Sequence, residues 1–190
     1  TNPEKALLTL AVPVTVGMVV QIVYNITDTA FVSLLGTDAL AAATFSFPLF
    51  FLFIAVGNII ANGAIPLIAQ AIGARRKEEA DIIAGHTVIL SALFAVVVMA
   101  AGLLFDEQLF SLMGATQTVT RLGVIYMLPL FLGSIFVFLS GAFSAVLIGE
   151  GNTRLPTYVR IVSVFLNLGL DYLFIVVLKI GIVGATLSTA

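Results

Sequence analysis

Cysteine is absent from this sequence, which excludes a disulfide framework, a thiol nucleophile and any cysteine-based metal site. Histidine occurs once. His86 has no acidic neighbour at ligand spacing, so no metal site is expected and the residue reads as a satisfied histidine near a helix start. Charge is scarce as well. Asp, Glu, Lys and Arg make up 9% of the chain, against roughly 25% in soluble domains, which need them to face water. No basic tract is present, so no nucleic-acid partner is expected. Walker loops, nucleophile elbows and zincin helices are also missing. The chain is therefore not expected to be an enzyme, to hold a cofactor or to draw energy from ATP by itself.

Apolar residues fill the sequence instead: 61% are hydrophobic and the mean hydropathy is +1.19. Eight basic and ten acidic residues cannot cover a globule of this size, so its surface faces lipid. Backbone groups in lipid must be paired within their own segment, which predicts an all-α membrane protein. A bilayer core of roughly 30 Å needs about 20 apolar residues in a helix. The runs fall at 6–35, with Pro13 as the natural bend point, at 40–72, which contains Pro48 and Pro66, and at 83–105, 122–148 and 155–178. A sixth, 181–190, is cut off. Gly36-Thr37-Asp38, the charged stretch Arg75 to Asp81 (read as a solvated loop), the polar segment Asp106 to Thr120 and the turn Gly149 to Arg154 separate them. The chain starts at Thr1 without a methionine and stops at Ala190 within an apolar run, so residues 1–190 read as a fragment forming one transmembrane lobe. The first run is far longer than the apolar region of a signal peptide.

Lys and Arg set the orientation. Lys5, Arg75, Arg76, Lys77 and Arg154 share one side, with Arg160 just inside the fifth run, whereas Arg121 and Lys179 lie on the other. This predicts a multi-pass protein with a cytoplasmic N-terminus. Depth then follows from the 1.5 Å rise per residue. Asp28 and Asp171 each fall about seven residues, roughly 10 Å, below the outer ends of their helices. Tyr126 and Thr189 reach the same layer from the outer side. Within single helices, Gln21, Tyr24, Asn25 and Asp28 share one face, and Arg160, Ser163, Asn167 and Asp171 share another. Each stripe ends in a carboxylate. A carboxylate in a spanning helix costs about 2.5–3.5 kcal/mol on insertion scales, a cost usually met by ion or proton binding, or by lining a watery cavity. Hydrogen-bonded structural glue is the bland alternative, but Ser, Thr, Asn and Gln serve that purpose without needing neutralisation. The Phe-rich stretch Phe45 to Phe53 reads as lipid-facing packing. Asn58 and Asn62, on one face of the second run, read as interhelical hydrogen bonds.

At these residues the sequence resembles the N-terminal half of the multidrug and toxic compound extrusion (MATE) family, archaeal or DinF-like type. The resemblance rests on Leu10-Ala11-Val12-Pro13, Tyr24-Asn25 with Asp28, Val32 to Gly36, Leu40-Ala41-Ala42, Pro48 and Gly57, and Ile72-Gly73-Ala74-Arg75 with Ala80. It continues through Gly149 to Arg154 with Pro156, Asn167-Leu168-Gly169-Leu170-Asp171, and Gly181, Gly184 and Thr189. Tyr172 departs from it, standing where many members carry proline. The resemblance implies a six-helix lobe, its sixth helix truncated here, of a twelve-helix transporter whose second lobe is the missing partner. It also implies export of amphipathic, often cationic, small molecules in exchange for H+ or Na+, across the plasma (inner) membrane of a prokaryote. Carried over residue by residue, the cation site falls on Asp28, Asn167, Asp171 and Thr189, with Tyr24 and Tyr126 beside it and Pro13 as the helix-bending position.

Three alternatives are weaker. A lipid-linked precursor flippase of the same superfamily would place more basic residues in its cavity, where only Arg160 is a candidate here. An intramembrane aspartyl protease resembles a Tyr-Asp pair and a Gly-x-Gly-Asp segment, but here the residues are Thr27-Asp28 and Leu168-Gly169-Leu170-Asp171. A channel needs a polar face continuing through the membrane, and the polar layer is local.

Overall fold

The structure is a computed structural model that describes residues 3–34, 36–178, 180 and 187, without the side chains of residues 3–10, 13, 14, 21, 24, 28, 31 and 32. The described residues form α1 (Pro3–Ser33), α2 (Thr37–Gly73), α3 (Lys77–Leu112), α4 (Gln117–Leu132), α5 (Ser134–Gly149) and α6 (Arg154–Asp171), followed by a π-helix at Tyr172–Val177. They contain no strand. Among the described residues, the helices α2, α3 and Arg154–Val177 are long and apolar enough to cross a bilayer, and the bent pair α4–α5 passes the same test when its two helices are taken together. The sixth apolar run, with Gly181, Gly184 and Thr189, lies outside the described residues.

Several boundaries differ from the sequence expectation, each for a local reason. Lys77 to Asp81 is not loop but the start of α3, where Glu78 and Glu79 sit favourably against the positive end of the helix dipole. Arg76 pairs with Glu79 at 3.1 Å, with both side chains more than half exposed, so the pair adds little. His86 is accordingly well inside α3 and exposed, not at a helix start. The same helix continues past Phe105 through Asp106, which is buried, to Leu112. The run expected at 122–148 is two helices bent by 49°. Pro129, in the last turn of α4, lacks a backbone donor and crowds the preceding turn. Just past the bend, the buried Ser134 hydroxyl donates to the Ala95 carbonyl of α3 at 3.3 Å, a polar tie between helices of the kind common in membranes.

Three helix ends close in the same way. The N–H groups of Gly114 and Ala115 bond back to Ser111 and Phe110, and those of Gly151 and Asn152 bond back to Ile148 and Leu147. Glycine occupies the left-handed position in both, at φ 80 and 86, the usual device at a helix C-terminus. After α2 the same pair of bonds runs from Arg75 to Ile72 and from Arg76 to Ala71. There the left-handed residue is Arg75, at φ 61, a conformation that costs a side-chain-bearing residue roughly 1–2 kcal/mol.

Packing divides the helices into a bundle and a pair. The bundle is α2 to α5, whose core joins Ala42, Phe53, Ala95, Phe110, Met127, Phe131 and Phe138, with Ile175 of the π-helix. Phe53 meets the rings of Phe131 and Phe138 edge-on, at 6.5 and 5.2 Å between centroids. A second small cluster of Ala64, Ile68, Ala71 and Ala80 closes the end near the α2–α3 turn. α1 packs chiefly against α6, and each touches the bundle less than it touches the other. Space is left between pair and bundle.

Candidate cation and substrate site

The α1–α6 pair has a definite register. A methyl group built on buried Gly17 would meet Arg160 Cδ at 3.5 Å and Thr157 Cγ2 at 3.9 Å. Eleven residues further along each helix come Asp28 and Asp171, roughly 16 Å on at 1.5 Å per residue. Asn25 and Asn167, three or four residues short of those carboxylates, line the same cavity, so the two helices run in parallel. The backbone of position 28 therefore lies at the height of Asp171.

That cavity, about 400 Å³, lies between α1, α2, α4, α5 and α6. Asn25, Tyr126, Ser163 and Asn167 give it a polar side, with Arg160 at one end. Tyr126 is buried and Asn167 half-buried. Asp171 lies one turn beyond Asn167, with 0% of its surface exposed. None of Asn25, Tyr126, Asn167 and Asp171 is without a partner. Gln21, Tyr24 and Asp28 lie on α1 with their side chains outside the described residues, as is that of Pro13, and Thr189 is outside altogether. Among the described residues no group of three or more His, Cys, Asp or Glu could hold a metal ion.

Beyond Asp171 the backbone leaves α-helical geometry. The Leu178 N–H bonds to the Leu173 carbonyl at 2.8 Å, the five-residue spacing of a π-helix. The change starts at Tyr172, and single π turns inside helices recur at functional sites.

The opposite wall was misread from sequence. Phe47, Phe50 and Phe51 line the cavity with Ile54, although the stretch reads as lipid-facing packing. Phe50 also stacks on core residue Phe53 at 6.3 Å, which fixes its ring. The missed signal was spacing: 47, 50, 51 and 54 fall at offsets 0, 3, 4 and 7, one helical face. Four and eight residues further, that face carries Asn58 and Asn62. They line a second cavity of about 430 Å³ between α2, α5 and α6, and both are exposed. Among the described residues neither makes the interhelical hydrogen bond expected of it. Ile54, Val137, Arg160 and Ser163 border both cavities.

An apolar helix bundle with a buried carboxylate beside a polar-walled cavity has the make-up of a membrane transporter. Comparison with known proteins makes this particular. The family model described as MatE matches residues 13–173, and the chain belongs to that family. It is 35% identical over 159 residues to the "Probable multidrug resistance protein YoeA" of Bacillus subtilis, covering 82% of this chain and 34% of that protein. With the "FAD transporter" of Shewanella oneidensis it shares 29% over 171 residues, 90% of this chain and 38% of the relative. A solved MOP superfamily transporter from Pyrococcus furiosus superimposes over the whole chain with a TM-score of 0.95 at 35% identity, this chain covering 42% of that one. The chain thus spans well under half the length of the relatives it matches.

Proposed function

We propose that this chain is the first lobe of a secondary antiporter that exports amphipathic, often cationic, drugs in exchange for H+ or Na+. Substrate passes between two lobes that alternate access to either side of a prokaryotic inner membrane. The observation that supports this best is the fully buried Asp171, one turn past the cavity residue Asn167 and level with position 28 of the paired helix. Two carboxylates at one height repel each other in a weakly screened interior. An incoming proton or sodium ion neutralises that repulsion and draws α1 against α6. The Asn167 and Thr189 side chains carry neutral oxygens suited to sodium, Asn25, Tyr126 and Ser163 line the cavity with hydrogen-bonding groups, and Gln21 and Tyr24 belong to the same stripe of α1 by helical period. Bending at Pro13 would let the outer part of α1 follow. Release of the ion on the other side reverses the packing, so ion and drug affinities are linked.

The test is reconstitution of the two-lobe protein in liposomes. An imposed H+ or Na+ gradient should drive ethidium against its own gradient, and residues 1–190 alone should not, because transport requires two lobes moving against each other. Driven efflux by 1–190 alone, or efflux indifferent to both gradients, would sink the proposal.

Orientation is part of the same reading, with the α2–α3 turn in the cytoplasm and the start of α4 outside. Residues 1–190 contain no cysteine, which makes labelling within this lobe clean. Arg76→Cys should react with an impermeant maleimide only from the cytoplasmic side and Gln117→Cys only from outside. Both labelling from one side would overturn the topology.

A further inference from the structure

The face of α2 that borders the two cavities changes character along its length. Phe47, Phe50 and Phe51 give one end an aromatic wall, whereas Asn58 and Asn62 give the other end amides. Ser140 and Ser144 of α5 face those amides across the second cavity. The two spaces, about 400 and 430 Å³, meet at Arg160 and are of the size that holds drug-like ligands.

Arg160 is the one charged side chain among the described residues that line either cavity. It has no carboxylate partner among the described residues, whose one ion pair is Arg76 with Glu79. Its stem lies along the α1 backbone at Gly17, where the missing side chain leaves room: a methyl there would come within 3.9 Å of Nη1. The side chain is exposed and lies against α1 at the junction, and among the described residues its fork of donors meets no carboxylate. A guanidinium stays protonated at any physiological pH. A purely cationic ligand spanning the junction would meet this fixed positive charge, whereas a carboxylate or phosphate would find bidentate donors.

We propose that Arg160 is an anion subsite, so that the transported range extends beyond cationic drugs to aromatic molecules bearing an acidic group, zwitterions included. The ring lies against Phe47, Phe50 and Phe51, the carboxylate or phosphate sits on Arg160, and further polar groups reach Asn58 and Asn62. The inference rests on the exporter reading and adds a second chemical class to its cargo.

The test uses the two-lobe protein in phosphatidylcholine nanodiscs and four probes sharing one aromatic body: 2-naphthoate, 2-naphthyl phosphate, 2-naphthalenemethanol and 2-naphthylmethyl-trimethylammonium. Both acids should bind about tenfold or more tighter than the alcohol, the scale of one charge-assisted hydrogen bond, and the cation more weakly than the alcohol. Arg160→Gln should bring the acids down to the alcohol's affinity and leave the alcohol unchanged. Arg160→Lys should keep the phosphate preference and lose most of the carboxylate preference, because an ammonium lacks the fork. Acids and alcohol binding alike in the parent, as expected if Arg160 only snorkels to the interface or pairs with the second lobe, would overturn the proposal. So would loss of acid binding in phosphatidylglycerol discs for the parent only, which would make a lipid headgroup the ligand. Ethidium efflux in the same preparation separates the two readings. Gradient-driven efflux without acid preference removes only the anion subsite, and Arg160-dependent acid binding without antiport removes only the exporter mechanism.

Discussion

Asp171→Asn should abolish gradient-driven efflux by the two-lobe protein, with a loss on the order of 100-fold, near the upper end of what linked sites exchange. Asparagine has nearly the same shape, and its carbonyl keeps an acceptor in a site with no solvent exposure. It can neither bind and release a proton nor offer sodium a full negative charge. The variant should therefore fold and reach the membrane at parental abundance while losing coupling. Asp28→Asn should behave the same way, because its backbone position stands level with Asp171 across the α1–α6 contact. Asn167→Ala removes a neutral oxygen only and should weaken coupling less. The measurement is initial efflux rate under an imposed cation gradient, normalised to protein in the vesicles. Parental rates in both aspartate variants would exclude this pocket as the coupling site.

Gly123→Ala should destabilise the bundle by about 1–3 kcal/mol, the usual cost of overpacking a filled core. A methyl on Gly123 would overlap the Phe110 ring, which has 0% of its surface exposed. α3 and α4 can approach closely only because position 123 carries no side chain, the small-residue contact typical of membrane helices. Gly141→Ala is the control, since nothing lies within 4 Å of a methyl placed there. Thermal unfolding in detergent should show a clear drop for Gly123→Ala and almost none for Gly141→Ala. Phe110→Leu, added to Gly123→Ala, should recover part of the loss. Equal melting of Gly123→Ala and parent would show that α3 and α4 are not packed this tightly.

Neither effect is visible in linear sequence to the same degree. Asp171 stood out at once, since a carboxylate is expensive in lipid and shares a helical face with Asn167, Ser163 and Arg160. Gly123 was one glycine of 16, and nothing local tells it from Gly141; only the neighbouring helix does. The aromatic wall was hidden for a related reason. In a membrane protein lipid and cavity both accept phenylalanine, so hydrophobicity does not say which way Phe47, Phe50 and Phe51 point. The bend at Gly133 had a local cause in Pro129, but Pro48 and Pro66 lie inside a single helix, α2. Proline marks where a helix can break, and packing decides whether it does.

By itself, the sequence determined that the chain is helical and lies in lipid, roughly where its helices start and stop, and which polar residues share a face. Those properties depend on the balance between backbone hydrogen bonding, apolar length and side-chain period, all local to a segment. Tertiary structure alone decided the pairing of α1 with α6, the register that sets position 28 level with Asp171, and the separation of that pair from the α2–α5 bundle. It also decided that Arg160 stands where two cavities meet. Each depends on contacts between residues far apart in the chain, such as Gly17 with Arg160, whose geometry no single helix specifies.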